Sequence, residues 1–290
     1  MKCFAFTLPL WLGCSTANVA VDAGLVPDSG VSLFPAADAG GLGDGGRDAG
    51  VMALPDASAP VDAGFERDDA GWVSLFNGKD FSGWQRYLVA EQPGGQPLGV
   101  DNDPRGVFTV VERDNEPAIR VSGEIWGVLA SLATFSHFEF ECEYARGTLL
   151  FPPLNFFDSG IMYFSVGPWG AVNAGGPALS MPIGSGAFLV SMEYQIANND
   201  VGTMYNLGPI SYQGTPRNPA PERSGWNQVR IESTPAGVRH FLNGALVASG
   251  SGFTLNWPGQ GEGPLTSGKL QLQCEGAEIF FRRIRLKPLP

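Results

Sequence analysis

The chain has 290 residues, with 29 Asp and Glu against 18 Lys and Arg, for a formal charge of −11. That balance supplies no basic surface for a nucleic acid, and no nucleic-acid partner is expected. The charge is uneven: residues 1–71 carry ten acidic and three basic side chains, which leaves 19 and 15 for residues 72–290.

Lys2, the apolar run from Phe4 to Leu12 and the pair Gly13-Cys14 have the layout of a short secretory signal. The run is too short to cross a bilayer as a helix. It resembles the signal of a bacterial lipoprotein, so residues 1–14 are expected to direct export and Cys14 to take a lipid. That anchor would hold the protein to a membrane of the bacterial cell envelope, in the periplasm or on the outer surface. From 15 to 71 the chain is rich in Asp, Ala, Gly and Pro, and Asp22, Asp38, Asp48, Asp62 and Asp69 each open an Asp-Ala-Gly triplet. The triplets lack the strict period and ligand number of glycine-rich calcium repeats, so the segment reads as a disordered tether.

A domain is expected over 72–290. It opens with Leu75–Trp84, LFNGKDFSGW; Trp72 and Val73 just before it, with Leu75 and Phe76, favour a short strand, and Asn77-Gly78 turns the chain. Phe81 and Trp84 then supply two rings to anchor an irregular stretch. Strand patterns follow at Val107–Val111 and Ala118–Val121, at Trp126–Ala133 and His137–Arg146, and at Ser159–Val166 and Phe188–Ile196. The first two pairs read as hairpins, and the third is split by a long glycine-rich loop. Trp226–Ser233 and Val238–Val247 read as a hairpin around Pro235-Ala236-Gly237, and Lys269–Cys274 with Glu278–Leu286 as a closing one. No segment keeps a helical period. Short strands with such turns make an all-β sandwich, best fitted as a two-sheet antiparallel jelly roll.

Several side chains on these strands are suited to chemistry. On Ser191–Ile196, alternation puts Glu193 and Gln195 on one face and Met192, Tyr194 and Ile196 on the other, either as a binding face or as plain polar surface. His240 is one of two histidines, either a proton carrier or a structural strand residue. Gln273 and Glu275 share parity before the Gly276 turn, Asp158 precedes Ser159-Gly160 at a strand entrance, and Trp126 suits a sugar ring as well as a core. His137, Glu139, Glu141 and Glu143 read as a solvated stripe opposite Phe138, Phe140 and Cys142. Cys142 and Cys274 both point to a core face, as two thiols or as one disulfide. No CxxC or His/Cys cluster is present, so no metal ligands are assigned. No cofactor is predicted, with a divalent metal left open.

LFNGKDFSGW resembles the opening of the 3-keto-disaccharide hydrolase family, whose domains are concanavalin-like jelly rolls. The resemblance continues through Trp126-Gly127-Val128-Leu129, Asp158-Ser159-Gly160-Ile161, Glu193-Tyr194-Gln195-Ile196, His240 with Asn243-Gly244, and Leu272-Gln273-Cys274-Glu275-Gly276. It implies a carbohydrate-active protein that cleaves 3-keto-glycosides by removal of the C2 proton, elimination and hydration, acting on an oligosaccharide or glycoside. It implies further that Glu193 is the base and His240 the acid or enolate donor, with Gln195, Asp158, Glu275 and Trp126 binding substrate. In the family a basic residue commonly stands six positions after the Asp of the Asp-Ser-Gly segment, and here that position is Phe164. The alternative is a lectin-like lipoprotein that binds carbohydrate without catalysis.

Overall fold

The computed structural model describes residues 67–92, 94–152, 154–173, 178–180 and 184–290. The expected signal at 1–14, its lipidation site Cys14 and nearly all of the 15–71 tether lie outside the described residues. Among the described residues there is no helix. The strands run β1 Val73–Ser74, β2 Trp84–Leu88, β3 Gly99–Val100, β4 Phe108–Arg113, β5 Glu116–Val121, β6 Gly127–Ser131, β7 Phe138–Leu150 and β8 Gly160–Val166. They continue as β9 Val190–Ala197, β10 Asp200–Leu207, β11 Ile210–Gly214, β12 Asn227–Thr234, β13 Gly237–Leu242 and β14 Ala245–Trp257. The last three are β15 Gly261–Pro264, β16 Lys269–Cys274 and β17 Ala277–Pro288.

Two antiparallel sheets form. One has the order β11-β14-β13-β12-β7-β17-β5-β4, with β1 added on β17 and β15 on β14, and the other is β10-β9-β8-β16-β6-β2-β3. The expected sandwich is therefore the observed one, and the opening motif clasps it: Val73 pairs with Leu286, and Trp84 donates its indole N–H to the Leu75 carbonyl. Two expected hairpins are instead crossings between layers. β6 and β7 lie in different sheets, and so do β16 and β17. A short polar connection can fold strands into one plane or pass them across the core, and β6 and β16 are buried on both faces, which only the inner part of the seven-stranded sheet offers.

The two outer faces differ in kind. On β7, Phe138, Phe140, Cys142 and Tyr144 point into the core. Glu139, Glu141 and Glu143 point out and meet Arg230, Arg285 and the pair Arg282 and Arg283. The outer side of the seven-stranded sheet is covered. Tyr87, in register through Val128 with Gln273, stacks on Trp169 at 5.5 Å and donates its hydroxyl to the Gly184 carbonyl at 3.0 Å. Trp169 and Gly184, from the glycine-rich connection between β8 and β9, thus lie against that face.

Phe164 takes a left-handed backbone (φ 52°) inside β8, at a register shift between Tyr163 and Val166. The distortion turns its ring inward against Phe138 and Phe253, with centroids 6.4 and 5.8 Å away. Cys142 and Cys274 are buried free thiols, so of the two arrangements left open the unbridged one is present.

Candidate functional site

Pairing across β9, β8 and β16 brings one set of side chains together on the covered outer face. Gly160 pairs with Gln195, Met162 with both Glu193 and Gln271, and Leu272 with Ile161. Side chains of paired residues share a face, so Glu193 and Gln195 stand beside Gln273 over Gly160. The glycine is what admits them: a methyl group there would come within 2.3 Å of Glu193 Oε1 and 2.9 Å of Gln273 Oε1. Gln273 donates from Nε2 to Glu275 Oε2 at 2.5 Å. Asp158 lies at the mouth of β8, where the Ser159 N–H and the Gln195 side chain bond to it.

This polar group is enclosed. Glu193, Gln273 and Glu275 are 3%, 1% and 4% exposed. Burial first, then the charges of Asp158 and Asp200, pushes the Glu193 carboxyl well above the usual carboxylate range. Burial, then Asp158 and Glu193, does the same to Glu275. Asp158 is pushed up to about 7, by burial and by Asp200, against its hydrogen bonds from Ser159 and Gln195. Among the described residues none of the three is paired with an arginine or lysine. Glu193 Oε1, Gln273 Oε1 and Asp158 Oδ1 are buried oxygens without a hydrogen-bond partner. Such acceptors are rare in a settled interior, and here Glu193 Oε1 and Gln273 Oε1 both approach the space over Gly160, where hydroxyl or acid protons would satisfy them.

Of the residues expected from sequence, Glu193, Gln195, Asp158 and Glu275 come together. Trp126 precedes Gly127, the partner of Cys274, and so enters at the Glu275 end. There it lines a cleft of about 530 Å³ with Gln92, Gln96 and Asn173. His240 does not join them. It is fully buried between the sheets, with Nδ1 2.9 Å from the Gly202 carbonyl and Nε2 3.0 Å from Tyr163 Oη. Tyr194, its ring neighbour at 4.8 Å, alternates with Glu193 along β9, so the imidazole lies on the opposite side of the sheet from the carboxyl group. The structure therefore does not bring His240, expected as acid or enolate donor, to the carboxyl cluster.

Sequence reading missed Asp200 and Tyr205 on β10. Tyr205 pairs with Glu193 and donates its hydroxyl to Asp200 at 2.8 Å, while Thr203 also bonds to Asp200. The signal available was Asn198-Asn199, a turn pair with Asn199 at φ 59°, which folds β10 back beside β9. Arg146 packs on the Phe157 ring at 4.3 Å, next in sequence to Asp158, but its guanidinium is held by Glu222 and Asn198. Among the described residues no three His, Cys, Asp or Glu side chains are arranged to hold a metal ion.

An antiparallel two-sheet jelly roll with a covered carboxyl and amide cluster on one outer face is the class that fold and site define. The sequence profile of the 3-keto-alpha-glucoside-1,2-lyase-like domain family matches residues 71–287, and the chain belongs to that family. No curated protein sequence matches it. Among solved structures, a Parabacteroides distasonis protein provisionally assigned as a glycosyl hydrolase is similar at 20% identity, covering 76% of this chain and 95% of that one, with TM-score 0.46. The carbohydrate-binding module CBM66 from Bacillus subtilis is similar at 11% identity over 71% of this chain and 95% of its own, with TM-score 0.38. The Bacillus licheniformis beta-glucanase is similar at 10% identity over 76% and 97%, with TM-score 0.36.

Proposed function

We propose that this protein cleaves 3-keto-glycosides by elimination followed by hydration, with the outer-face carboxyl cluster as its active site. The observation that carries the reading is the convergence of Glu193 and Gln273 over Gly160, buried and short of hydrogen-bond donors, with Glu275 bonded to the Gln273 amide beside them. A ketone at C3 acidifies the proton on C2, so one ionised carboxylate removes that proton and the electron pair of the C2–H bond becomes the C1–C2 double bond. The C1–oxygen bond breaks, and the departing oxygen takes a proton from a second, neutral carboxyl group. Water then adds at C1 while C2 recovers a proton, so the net change is hydrolysis and both carboxyl groups return to their starting states. Two carboxyl groups take the roles that sequence reading divided between Glu193 and His240. Gln195, Asp158 and Trp126 are left to bind hydroxyls and a ring face.

Incubation of the full chain with a panel of 3-keto-glycosides tests this, with product analysis before and after Glu193→Gln. Release of keto-sugar by the wild type and its loss in the variant is the expected result, and no release from any member of the panel overturns it. One observation favours a second reading, binding without turnover: no cation faces the developing enolate among the described residues. Lys269, on the same parity of β16, is held by the Ser131 and Leu132 carbonyls at 2.7 and 2.9 Å. Saturable glycan binding with no product would select that reading.

Export and lipid anchoring at Cys14 belong to the same proposal, since a glycan-directed enzyme on a long acidic tether suits the cell envelope. Retention of Cys14→Ser in the membrane fraction, equal to wild type, would contradict the anchor.

A further inference from the structure

Gln273 stands between two glutamates. Its Nε2 reaches Glu275 Oε2, and its Oε1 is directed to the point above Gly160 that Glu193 Oε1 also approaches. A primary amide has hydrogens at one end and lone pairs at the other. Glu193 Oε1 and Gln273 Oε1 both lack a donor, and a proton on Glu193 would give this pair of oxygens over Gly160 the hydrogen it lacks. Turning the amide end for end would move the lack of a donor to Glu275 without removing it. The glutamate that receives the amide N–H loses its proton first, because a donor stabilises its charge, and that charge then resists the second ionisation.

We propose that Gln273 is a positioning residue that fixes the proton inventory of this face, keeping Glu275 as the ionised carboxylate and Glu193 as the neutral acid. The remaining titratable neighbours do not supply the missing donor. Asp158 at the β8 entrance is itself acidic and is bonded to Gln195 and Ser159. Asp200 on β10 is bonded to Thr203, Tyr205 and Arg217. The Tyr87 hydroxyl goes to Gly184, and the Lys269 ammonium to Ser131 and Leu132. Burial and the surrounding carboxylates raise both glutamates, and of the two only Glu275 receives the Gln273 amide N–H. In its kinetic consequence the inference rests on the proposed elimination, where it makes Glu275 the base and Glu193 the acid, the reverse of the role given to Glu193 from sequence. The protonation pattern itself is a property of the resting protein.

Infrared difference spectroscopy of the full chain, without any sugar, tests it. At mildly alkaline pH, above the Asp158 value of about 7, a protonated-carboxyl band is expected that disappears in Glu193→Gln and survives in Glu275→Gln. Gln273→Leu should add a second band at the same pH, as Glu275 loses its donor. Gln273→His, which keeps an N–H, should retain the single band. Loss of the band in Glu275→Gln but not in Glu193→Gln, absence of any band at that pH, or a Gln273→Leu spectrum unchanged from wild type would overturn the inference. The two glutamate variants decide where the proton sits even if Gln273→Leu does not fold. Because no substrate is used, a failed turnover assay and a failed spectrum are separate results.

Discussion

His240 accepts a hydrogen bond from Tyr163 across the core, with Nε2 3.0 Å from the tyrosine oxygen while Nδ1 donates to the Gly202 carbonyl at 2.9 Å. This arrangement requires the neutral ring protonated on Nδ1, and burial holds the imidazole down to about 4 from its ordinary 6.5, against the Gly202 bond. The folded-state value is depressed, so the contribution to stability is complete above pH 6.5 and is lost as pH falls toward about 4. Over that interval it amounts to about 3 kcal/mol at 1.36 kcal/mol per pH unit. Denaturant unfolding as a function of pH should show this acid limb in the wild type and lose it in His240→Gln. At neutral pH that variant should be destabilised by about 2 kcal/mol through two weakened buried bonds. Turnover per folded molecule should stay within a factor of about two of wild type, since each factor of ten would require about 1.4 kcal/mol at the barrier.

Glu193 predicts the opposite slope. Its carboxyl is raised by burial and by Asp158 and Asp200, so the folded state keeps a proton that the unfolded chain releases. The contribution is complete below the unfolded carboxylate value and is lost as pH rises toward the elevated folded one. Glu193→Gln removes the ionisation while keeping the shape. Its denaturation midpoint should exceed that of the wild type at alkaline pH, by a margin that grows at up to about 1.4 kcal/mol per pH unit. A constant margin at every pH would mean that the carboxyl titrates normally.

Phe164 stands where family members commonly carry a basic residue, but its side chain does not reach the carboxyl cluster. The left-handed turn of β8 directs the ring inward, against Phe138, Tyr163 and Phe253. Phe164→Arg should therefore unfold the protein instead of supplying an enolate donor. Loss of the ring alone removes about 3–5 kcal/mol, and an unpaired buried guanidinium adds to it. A thermal melt checks this: a variant as stable as the wild type would place the position at the surface.

Much of the sandwich was legible because alternation is a local signal. β7 shows it in Phe138, Phe140, Cys142 and Tyr144 against Glu139, Glu141 and Glu143, and the same period set Glu193 and Gln195 apart from Tyr194. What alternation does not carry is the layer to which a strand belongs. The connections after β6 and β16 look like hairpin turns, and both cross the core. The side of the sheet that His240 faces was hidden for the same reason: β13 lies in the sheet opposite Glu193, and only the assembled sandwich shows that its inward residues meet Tyr194. β10 escaped because Gly202 and a register shift between Val201 and Met204 break its pattern. With it went Asp200 and Tyr205.

The free thiols give a simple check on the layers. Cys142 belongs to the ten-stranded sheet and Cys274 to the seven-stranded one, and the Cys274 thiol is bonded to the Ile125 carbonyl. Burial pushes both thiols up, so neither supplies much thiolate for oxidation. Thermal midpoints with and without reductant should agree. A drop in reductant would reveal a bridge.

Gly160 offers the sharpest separation of site from scaffold. Its backbone is not left-handed, so alanine is conformationally acceptable there, and the nearest atoms its methyl group would meet belong to the two side chains above it. A methyl group 2.3 Å from Glu193 Oε1 and 2.9 Å from Gln273 Oε1 must push both aside, with Glu193 Cδ next at 3.0 Å. The strain amounts to about 1–3 kcal/mol, shared with side chains that can rotate. The fold should survive with a modest fall in melting temperature, while the distance between the two glutamates changes by enough to misplace a proton transfer. A displacement near 1 Å at such a site lowers rate by about a hundredfold. Gly160→Ala should thus bind or turn over its glycoside far less well than its stability predicts, as measured by calorimetric titration alongside a melt. Binding and turnover equal to wild type would show that this cluster is not where the sugar sits.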